Sequence, residues 1–291
     1  MQHPLLEQHR IKLRVLRLDQ IHPTLSGNKW FKLKYNLEAI QQQGITRVLS
    51  FGGAYSNHIR ALAAAGKCLD LETIGLIRGE LVEPLNPILA FAQQQGMQLI
   101  GVSRSEYRRK QQPMFLQQMR SRFGEFYLLP EGGSNRLAVA GCREIADYFS
   151  WQTTSAPRFV ALACGTGATM SGIVLALAES RLQPAATVLG VSVLKAQRYI
   201  AREVSRWLHS EAGSESSQLT NWQVLEDYHC GGYARTSSEL QDFLRDFADY
   251  SSLPLEPVYT GKLFFGLFQM IRQGGIPADS EIIAIHSGGV Y

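Results

Sequence analysis

A lysine amine does covalent chemistry only when it is uncharged, and one lysine of this sequence, Lys29, is set where the uncharged form is favoured. It follows the turn Ser26-Gly27-Asn28 and opens a helical pattern that carries Trp30, Phe31, Leu33, Leu37 and Ile40 on or near one apolar face. A cation gains nothing at the positive end of a helix dipole, which favours anions. Lys32 and Lys34 add positive charge close by. Burial and positive neighbours ease deprotonation, and a neutral amine condenses with an aldehyde to a Schiff base. A solvated basic helix start is the commoner reading of the same local pattern.

Other stretches supply the groups such chemistry needs. Gly52-Gly53-Ala54-Tyr55-Ser56-Asn57-His58 ends a strand pattern and starts a helix, and so does Gly165-Thr166-Gly167-Ala168-Thr169. Glycines let the backbone approach a ligand closely, and helix N-termini present N–H donors to anions. Glu131-Gly132-Gly133-Ser134-Asn135 is a third turn of this kind. Neither a Walker lysine nor the full Rossmann glycine spacing is present, and each turn alone is equally a tight strand-to-helix connection. Near the C-terminus, Pro257-Val258-Tyr259-Thr260-Gly261-Lys262 precedes a helix and His286-Ser287-Gly288-Gly289 follows a strand. Thr260 suits an N-cap. Tyr259 and Thr260 also suit proton transfer and a bond to a ring nitrogen.

The elements that must position these groups alternate. Strand patterns fall at 12–18, 46–51, 72–78, 97–102, 125–129, 158–164, 186–194 and 280–286. Helical patterns fall at 57–69, 86–95, 113–122, 137–150, 169–180, 195–209, 236–250 and 261–273. Alternation of this kind implies an α/β fold of mostly parallel sheets with helices on both faces and ligands at the carboxyl ends of the strands. The stretch 210–232 reads as a mobile loop, and Leu263-Phe264-Phe265-Gly266-Leu267-Phe268 as a buried helix or an interface.

Composition narrows the class. The 291 residues, 45% hydrophobic, suffice for a large core. The net charge of +4 is mixed along the chain and does not announce nucleic-acid binding, and the basic run 104–110 reads as a solvated helix face. Cys68, Cys142, Cys164 and Cys230 show neither disulfide nor zinc spacing, and are expected reduced and mostly buried. No metal is expected. With no apolar span and no signal-like N-terminus, the expectation is a soluble cytoplasmic protein.

Five motifs in order, Ser26-Gly27-Asn28-Lys29 with Lys32-Leu33, Gly52-Gly53 with Ser56-Asn57, Gly165 to Thr169, Pro257 to Lys262, and His286 to Gly289, resemble the 1-aminocyclopropane-1-carboxylate deaminase and D-cysteine desulfhydrase family. The resemblance runs from about residue 12 to the end and implies a two-domain tryptophan-synthase-β-like fold (pyridoxal-phosphate fold type II), with 36–136 as the small domain and 1–35 plus 137–291 as the large one. It implies pyridoxal phosphate held by Lys29, which would also move the α-proton. Asn57 would bond the cofactor's phenolic oxygen. Cys164, Gly165, Thr166, Gly167, Ala168 and Thr169 would hold its phosphate, and Thr260 would lie by its ring nitrogen. Ser56, Asn57 and His58 would receive the substrate carboxylate. Tyr259 would face the reacting carbons, with Ser56 assisting proton transfer and Tyr233 as a second phenol. A homodimer is implied as well.

Relatives that open a cyclopropane ring resemble this chain but carry glutamate where Thr260 stands. A neutral hydroxyl is expected to leave the ring nitrogen unprotonated, which suits α,β-elimination of a good leaving group from a small D-amino acid, most simply D-cysteine. Readings kept open are cyclopropane opening, racemisation or elimination on a D-serine-like substrate, a non-catalytic pyridoxal-phosphate binder, and a nucleotide binder using Gly165-Thr166-Gly167, which would leave Lys29 and Tyr259-Thr260 without a role. The segment before Lys29 is shorter than the family pattern, which is expected to reduce the cover over the cleft, and the chain end at Tyr291 departs from the pattern in a stretch that lies near the substrate in the family.

Overall fold

The structure is a computed structural model that describes residues 1–25, 27–152, 156–180 and 185–290. Ser26 of the lysine turn and Tyr291 lie outside the described residues. The strands are β1 (Lys12–Arg17), β2 (Arg47–Gly52), β3 (Glu72–Arg78), β4 (Gln98–Val102), β5 (Tyr127–Leu129), β6 (Arg158–Cys164), β7 (Thr187–Ser192), β8 (Trp222–Leu225) and β9 (Glu281–His286). The helices are α1 (Pro4–Gln8), α2 (Asn28–Gln42), α3 (Asn57–Leu69), α4 (Pro87–Gln94), α5 (Arg104–Tyr107), α6 (Pro113–Phe123), α7 (Arg136–Arg143), α8 (Ala168–Glu179), α9 (Tyr199–Ala212), α10 (Ser238–Tyr250) and α11 (Thr260–Arg272).

These elements form two compact units. The first holds Met1–His22, Ser26–Phe31 and Val139–Tyr291 and contains a five-stranded parallel sheet in the order β1-β9-β6-β7-β8. Its central strands read as near-continuous apolar runs, Phe-Val-Ala-Leu-Ala in β6 and Ile-Ile-Ala-Ile in β9, as strands covered on both faces should. Alternate residues face opposite sides. Val160, Leu162, Ile283 and Ile285 pack with Met170 and Ile173 of α8 and Val204 of α9. Ala161, Ala163, Ile282 and Ala284 pack with Leu263, Phe264, Leu267 and Phe268 of α11. The apolar run 263–268 is therefore core of its own unit.

The second unit holds Pro23–Leu25 and Lys32–Ala138, with a four-stranded parallel sheet in the order β4-β3-β2-β5. Val48, Ile77 and Leu129 meet α2 through Leu33, Leu37 and Ile40, and α3 through Ile59 and Leu62. Leu49, Phe51, Ile74 and Leu76 meet Tyr107, Phe115 and Phe126.

Several expectations are corrected. The stretch 210–232 contains the end of α9, a 3-10 turn at Gly213–Gln218, and β8, an edge strand paired with β7 whose four residues are too few to show a period. The helix expected over 137–150 ends at Arg143 and tightens to 3-10 over Glu144–Tyr148. Trp30 leaves the apolar face of α2 and is 37% exposed, while Leu33, Leu37 and Ile40 are buried. Of the four thiols, all free, Cys142 and Cys164 are buried but Cys68 is exposed. No helix among the described residues is long and apolar enough to cross a membrane.

Candidate active site

In the first unit Lys29 occupies the first turn of α2, and the turn before it is laid on the chain that leaves β9. Gly27 has φ +74 and donates its N–H to Leu18 O at 2.7 Å. A Cβ built on Gly27 would stand 2.0 Å from the Ser287 carbonyl oxygen, so only glycine fits. The Asn28 N–H donates to that same carbonyl at 3.4 Å. The lysine turn and the His286-Ser287-Gly288 turn, far apart in sequence, are thus one piece of structure.

Asn28 carries the next link. Lys29 Nζ donates to Asn28 Oδ1 at 3.1 Å, and Asn28 Nδ2 donates to Thr169 Oγ1 at 2.9 Å. Thr169 belongs to the first turn of α8, which follows β6 through the turn Gly165-Thr166-Gly167. Gly167, at φ +76, is the N-cap, and no side-chain hydrogen bond caps this helix start. Ala168, Thr169 and Met170 are buried there. Backbone N–H groups at such an end make an anion site. The Cys164 thiol points into the core, 3.8 Å from the Met170 sulfur, so Cys164 meets this site through its backbone.

Tyr259 flanks the same turn: a Cβ on Gly165 would lie 3.6 Å from Tyr259 Cε1. Tyr233 packs edge-on to Tyr259, ring centroids 6.2 Å apart. The first unit therefore gathers Lys29, the 164–169 turn, Tyr259 and Tyr233. Tyr259, not Thr260, is the N-cap of α11, and capping falls to the partly buried Glu256. Its carboxylate accepts from the N–H groups of Val258 at 2.7 Å, Tyr259 at 2.9 Å and Thr260 at 2.6 Å. The Thr260 hydroxyl, fully buried, donates to the same carboxylate at 3.1 Å. Burial pushes the Glu256 pKa up against the pull of those donors. Lys262, also fully buried, donates to Gly232 O at 2.6 Å and fastens the Gly231-Gly232 loop that carries Tyr233; burial pushes its pKa down.

Behind the lysine turn, His286 is buried with Nε2 donating to Pro254 O at 2.7 Å and Nδ1 3.0 Å from Asp19 Oδ1. Burial lowers its pKa against the pull of Pro254 and Asp19. Burial alone would raise the Asp19 pKa, but hydrogen bonds from Arg17 at 2.8 and 2.6 Å and the neighbouring His286 bring it below the ordinary value.

In the second unit, Ser56 is the N-cap of α3, its hydroxyl accepting from the Ile59 N–H at 3.3 Å, and Asn57 is partly exposed in the first turn. The His58 ring turns inward. Its Nε2 lies 2.8 Å from Ser50 Oγ, which gives its own proton to Leu129 O at 2.8 Å, so Nε2 is the donor. Gly133, at φ +66, backs the ring so closely that a Cβ there would meet it at 3.0 Å. An anion at this helix start would meet backbone N–H groups, Ser56 and Asn57 rather than Nε2 of His58. The turn 131–135 is occupied by its own unit: Lys32 Nζ donates to Gly132 O and Ser134 Oγ, both at 3.0 Å, and Asn135 bonds Asn36. It fastens α2. Among the described residues no cluster of His, Cys, Asp or Glu has the geometry of a metal site.

As a donor set, the first unit offers a primary amine, a buried helix N-terminus among glycines, a phenol and a hydroxyl. That set fits an aldehyde-bearing aromatic cofactor with a phosphate tail. The family described as pyridoxal-phosphate dependent enzyme matches residues 2–288. The chain belongs to the pyridoxal-phosphate dependent enzymes. A Thermotoga maritima protein, provisionally named a 1-aminocyclopropane-1-carboxylate deaminase, is 33% identical over 99% of this chain and 91% of its own length. An Arabidopsis thaliana protein named bifunctional D-cysteine desulfhydrase/1-aminocyclopropane-1-carboxylate deaminase, mitochondrial, is 30% identical over 96% of this chain and 72% of its own. The crystal structure of an ACC deaminase homologue superposes with a TM-score of 0.80 at 24% identity, covering 98% of this chain and 87% of that one. The fold is accordingly that of pyridoxal-phosphate fold type II, and the cofactor of this enzyme is pyridoxal phosphate.

Two residues that hold this donor set together escaped the sequence reading. Asn28 was legible only as part of a turn, although an amide beside the key lysine has both a donor and an acceptor to offer. Glu256, an acid four residues before Thr260, was visible in the sequence, but only the folded turn at the start of α11 brings its carboxylate back onto Thr260.

Proposed function

We propose that this pyridoxal-phosphate enzyme catalyses α,β-elimination on a small D-amino acid, D-cysteine being the simplest, with loss of hydrogen sulfide and hydrolysis of the remaining enamine by water to pyruvate and ammonia. The observation that carries the reading is the link Lys29 Nζ to Asn28 to Thr169 Oγ1, which couples the amine to the anion-binding start of α8. In this reading Lys29 would hold the cofactor through its aldehyde, and its amine would take the substrate's α-proton. The residues Cys164 to Thr169 hold the phosphate through backbone N–H groups and hydroxyls. The cofactor supplies the electron sink for the pair released at the α-carbon. Asn57 bonds the phenolic oxygen, and the α3 start, with Ser56, Asn57 and the backbone of His58, receives the substrate carboxylate. Tyr259 or Ser56 protonates the departing group, with Tyr233 supporting Tyr259 edge-on. Thr260, a neutral hydroxyl where cyclopropane-opening relatives resemble this chain but carry glutamate, favours a substrate with a good leaving group. Opening of 1-aminocyclopropane-1-carboxylate is the second reading, favoured by the names of the relatives. A homodimer and a cytoplasmic location belong to the same reading.

The test is the visible absorbance of the purified protein with pyridoxal phosphate, before and after D-cysteine, with sulfide assayed. The native protein is expected to show a cofactor band that D-cysteine perturbs with sulfide release, and Lys29→Ala to show neither. A band that persists in Lys29→Ala removes the lysine from its role. A band that D-cysteine leaves unchanged while aminocyclopropane carboxylate perturbs it turns the reading to the second substrate.

A further inference from the structure

Lys262 has no part in the chemistry proposed above, although it closes the Pro257 to Lys262 motif. Its side chain is fully buried in the first turn of α11, where the helix dipole gives a cation nothing. Among the described residues, the acceptor its amine reaches is Gly232 O, at 2.6 Å. Burying an amine is costly and one carbonyl offsets it only in part, so an apolar side chain would fill the same space without that cost. What the amine holds is a turn under strain. Gly232 O also accepts the Arg235 N–H at 3.0 Å, which closes a turn with Tyr233 and Ala234 at its centre. Ala234 has φ +54, and the residues leading into the turn are left-handed too, Cys230 at +49, Gly231 at +92 and Gly232 at +110. Such backbone is disfavoured for alanine and cysteine and persists only where its surroundings over-determine it. Lys195 backs the turn, since a Cβ on Gly232 would meet Lys195 Cβ at 3.2 Å, and Lys262 fixes the carbonyl from which the turn starts.

We propose that Lys262 is a positioning residue for the elimination: by fixing the Gly232 carbonyl it keeps the strained turn closed and Tyr233 edge-on to Tyr259, and so aims the phenol that protonates the departing group. The inference rests on the placement of Tyr259 and Tyr233 at the reacting carbons in the reading above. Without the amine the turn relaxes toward ordinary backbone and Tyr233 leaves Tyr259. The loss falls on turnover, because the same reading gives the substrate carboxylate to the start of α3.

The test follows the turn and the turnover separately. In native protein loaded with pyridoxal phosphate, the Arg235 amide is expected to exchange its hydrogen about a hundredfold more slowly than in an unstructured chain. Lys262→Met keeps the apolar stem and removes the amine; exchange at Arg235 is expected to quicken about tenfold, the effect of losing one hydrogen bond, while amides of β6 and β9 exchange as in the native protein. With D-cysteine, Lys262→Met is expected to lower kcat about tenfold with KM near native, and Lys262→Met with Tyr233→Phe to turn over no more slowly than Tyr233→Phe alone. Ala234→Gly, which lets the turn close without left-handed strain, is expected to restore part of the kcat lost in Lys262→Met. Unprotected Arg235 in the native protein, native exchange in a folded Lys262→Met, or losses from Lys262→Met and Tyr233→Phe that multiply, overturns this proposal and leaves the cofactor and the reaction standing. Full turnover in Tyr233→Phe, or no turnover of D-cysteine by the native protein, overturns the reading it rests on and the proposal with it. Because the native exchange is itself a test, misfolding of Lys262→Met does not remove the outcome.

Discussion

Gly27 shows how much of this site hangs on single atoms. Its φ of +74 and the 2.0 Å approach that a Cβ would make to the Ser287 carbonyl mean that alanine must displace backbone on one side or the other. A left-handed conformation alone costs a non-glycine residue about 1–2 kcal/mol. Gly27→Ala is therefore expected to lower the unfolding free energy by at least that much, and to loosen pyridoxal phosphate further because Asn28 and Lys29 move with it. Native stability together with native cofactor affinity in this variant would contradict the geometry. Asn28 is the companion case. It joins the amine to Thr169 by two ordinary hydrogen bonds, and neither bond is visible from its place in a turn motif.

At the scale of elements, helix starts do the work. Those of α3, α8 and α11 use different caps: the Ser56 hydroxyl, no side chain at all, and the Glu256 carboxylate. The uncapped one is where the phosphate is proposed to bind, and the capped ones carry side chains proposed to face substrate and cofactor. Ser56 can be asked which of its roles matters. Replacing an N-cap serine by alanine costs about 1 kcal/mol, whereas glycine costs only a few tenths. Ser56→Gly is expected to melt close to the native protein and to lose turnover if the hydroxyl moves a proton, while Ser56→Ala loses both stability and turnover. Full turnover in Ser56→Gly would confine Ser56 to capping. The capping hydrogen bonds of α11 also explain why Thr260 was misread from sequence: serine and threonine are common caps, but here a glutamate four residues earlier folds back and takes the position.

At the scale of the whole chain, the Arg17, Asp19 and His286 cluster ties the carboxyl ends of β1 and β9 together and makes stability depend on pH. His286 has a folded pKa below its ordinary value of about 6.5, so on acidification the unfolded chain takes up the proton first. Its contribution is full above that pH and is lost as pH falls toward the folded value. Asp19, also lowered, acts in the same sense from about pH 3.9 downward. Melting temperatures measured between pH 8 and pH 5 are expected to fall in the native protein and to fall less in His286→Gln. Parallel curves would show that the histidine contributes nothing to the dependence.

The sequence by itself determined the alternation of apolar strands and amphipathic helices, because periods of two and 3.6 residues are local properties of the chain. It also determined the chemical types at the strand ends: the lysine, the glycine turns, and the Tyr259-Thr260 pair, whose order along the chain carries the family resemblance. Helices α3 and α11 and strands β3 and β6 stand where the pattern placed them, within a residue. Short elements with no clear period, β8 and α1 among them, needed neighbours to become visible. Tertiary structure alone decided which partner each polar group found. It sent the His58 ring to Ser50, Lys32 to the 131–135 turn, Asn28 to Thr169 and the Thr260 proton to Glu256. A hydrogen bond depends on two groups meeting at about 3 Å, and the sequence states only that both groups exist.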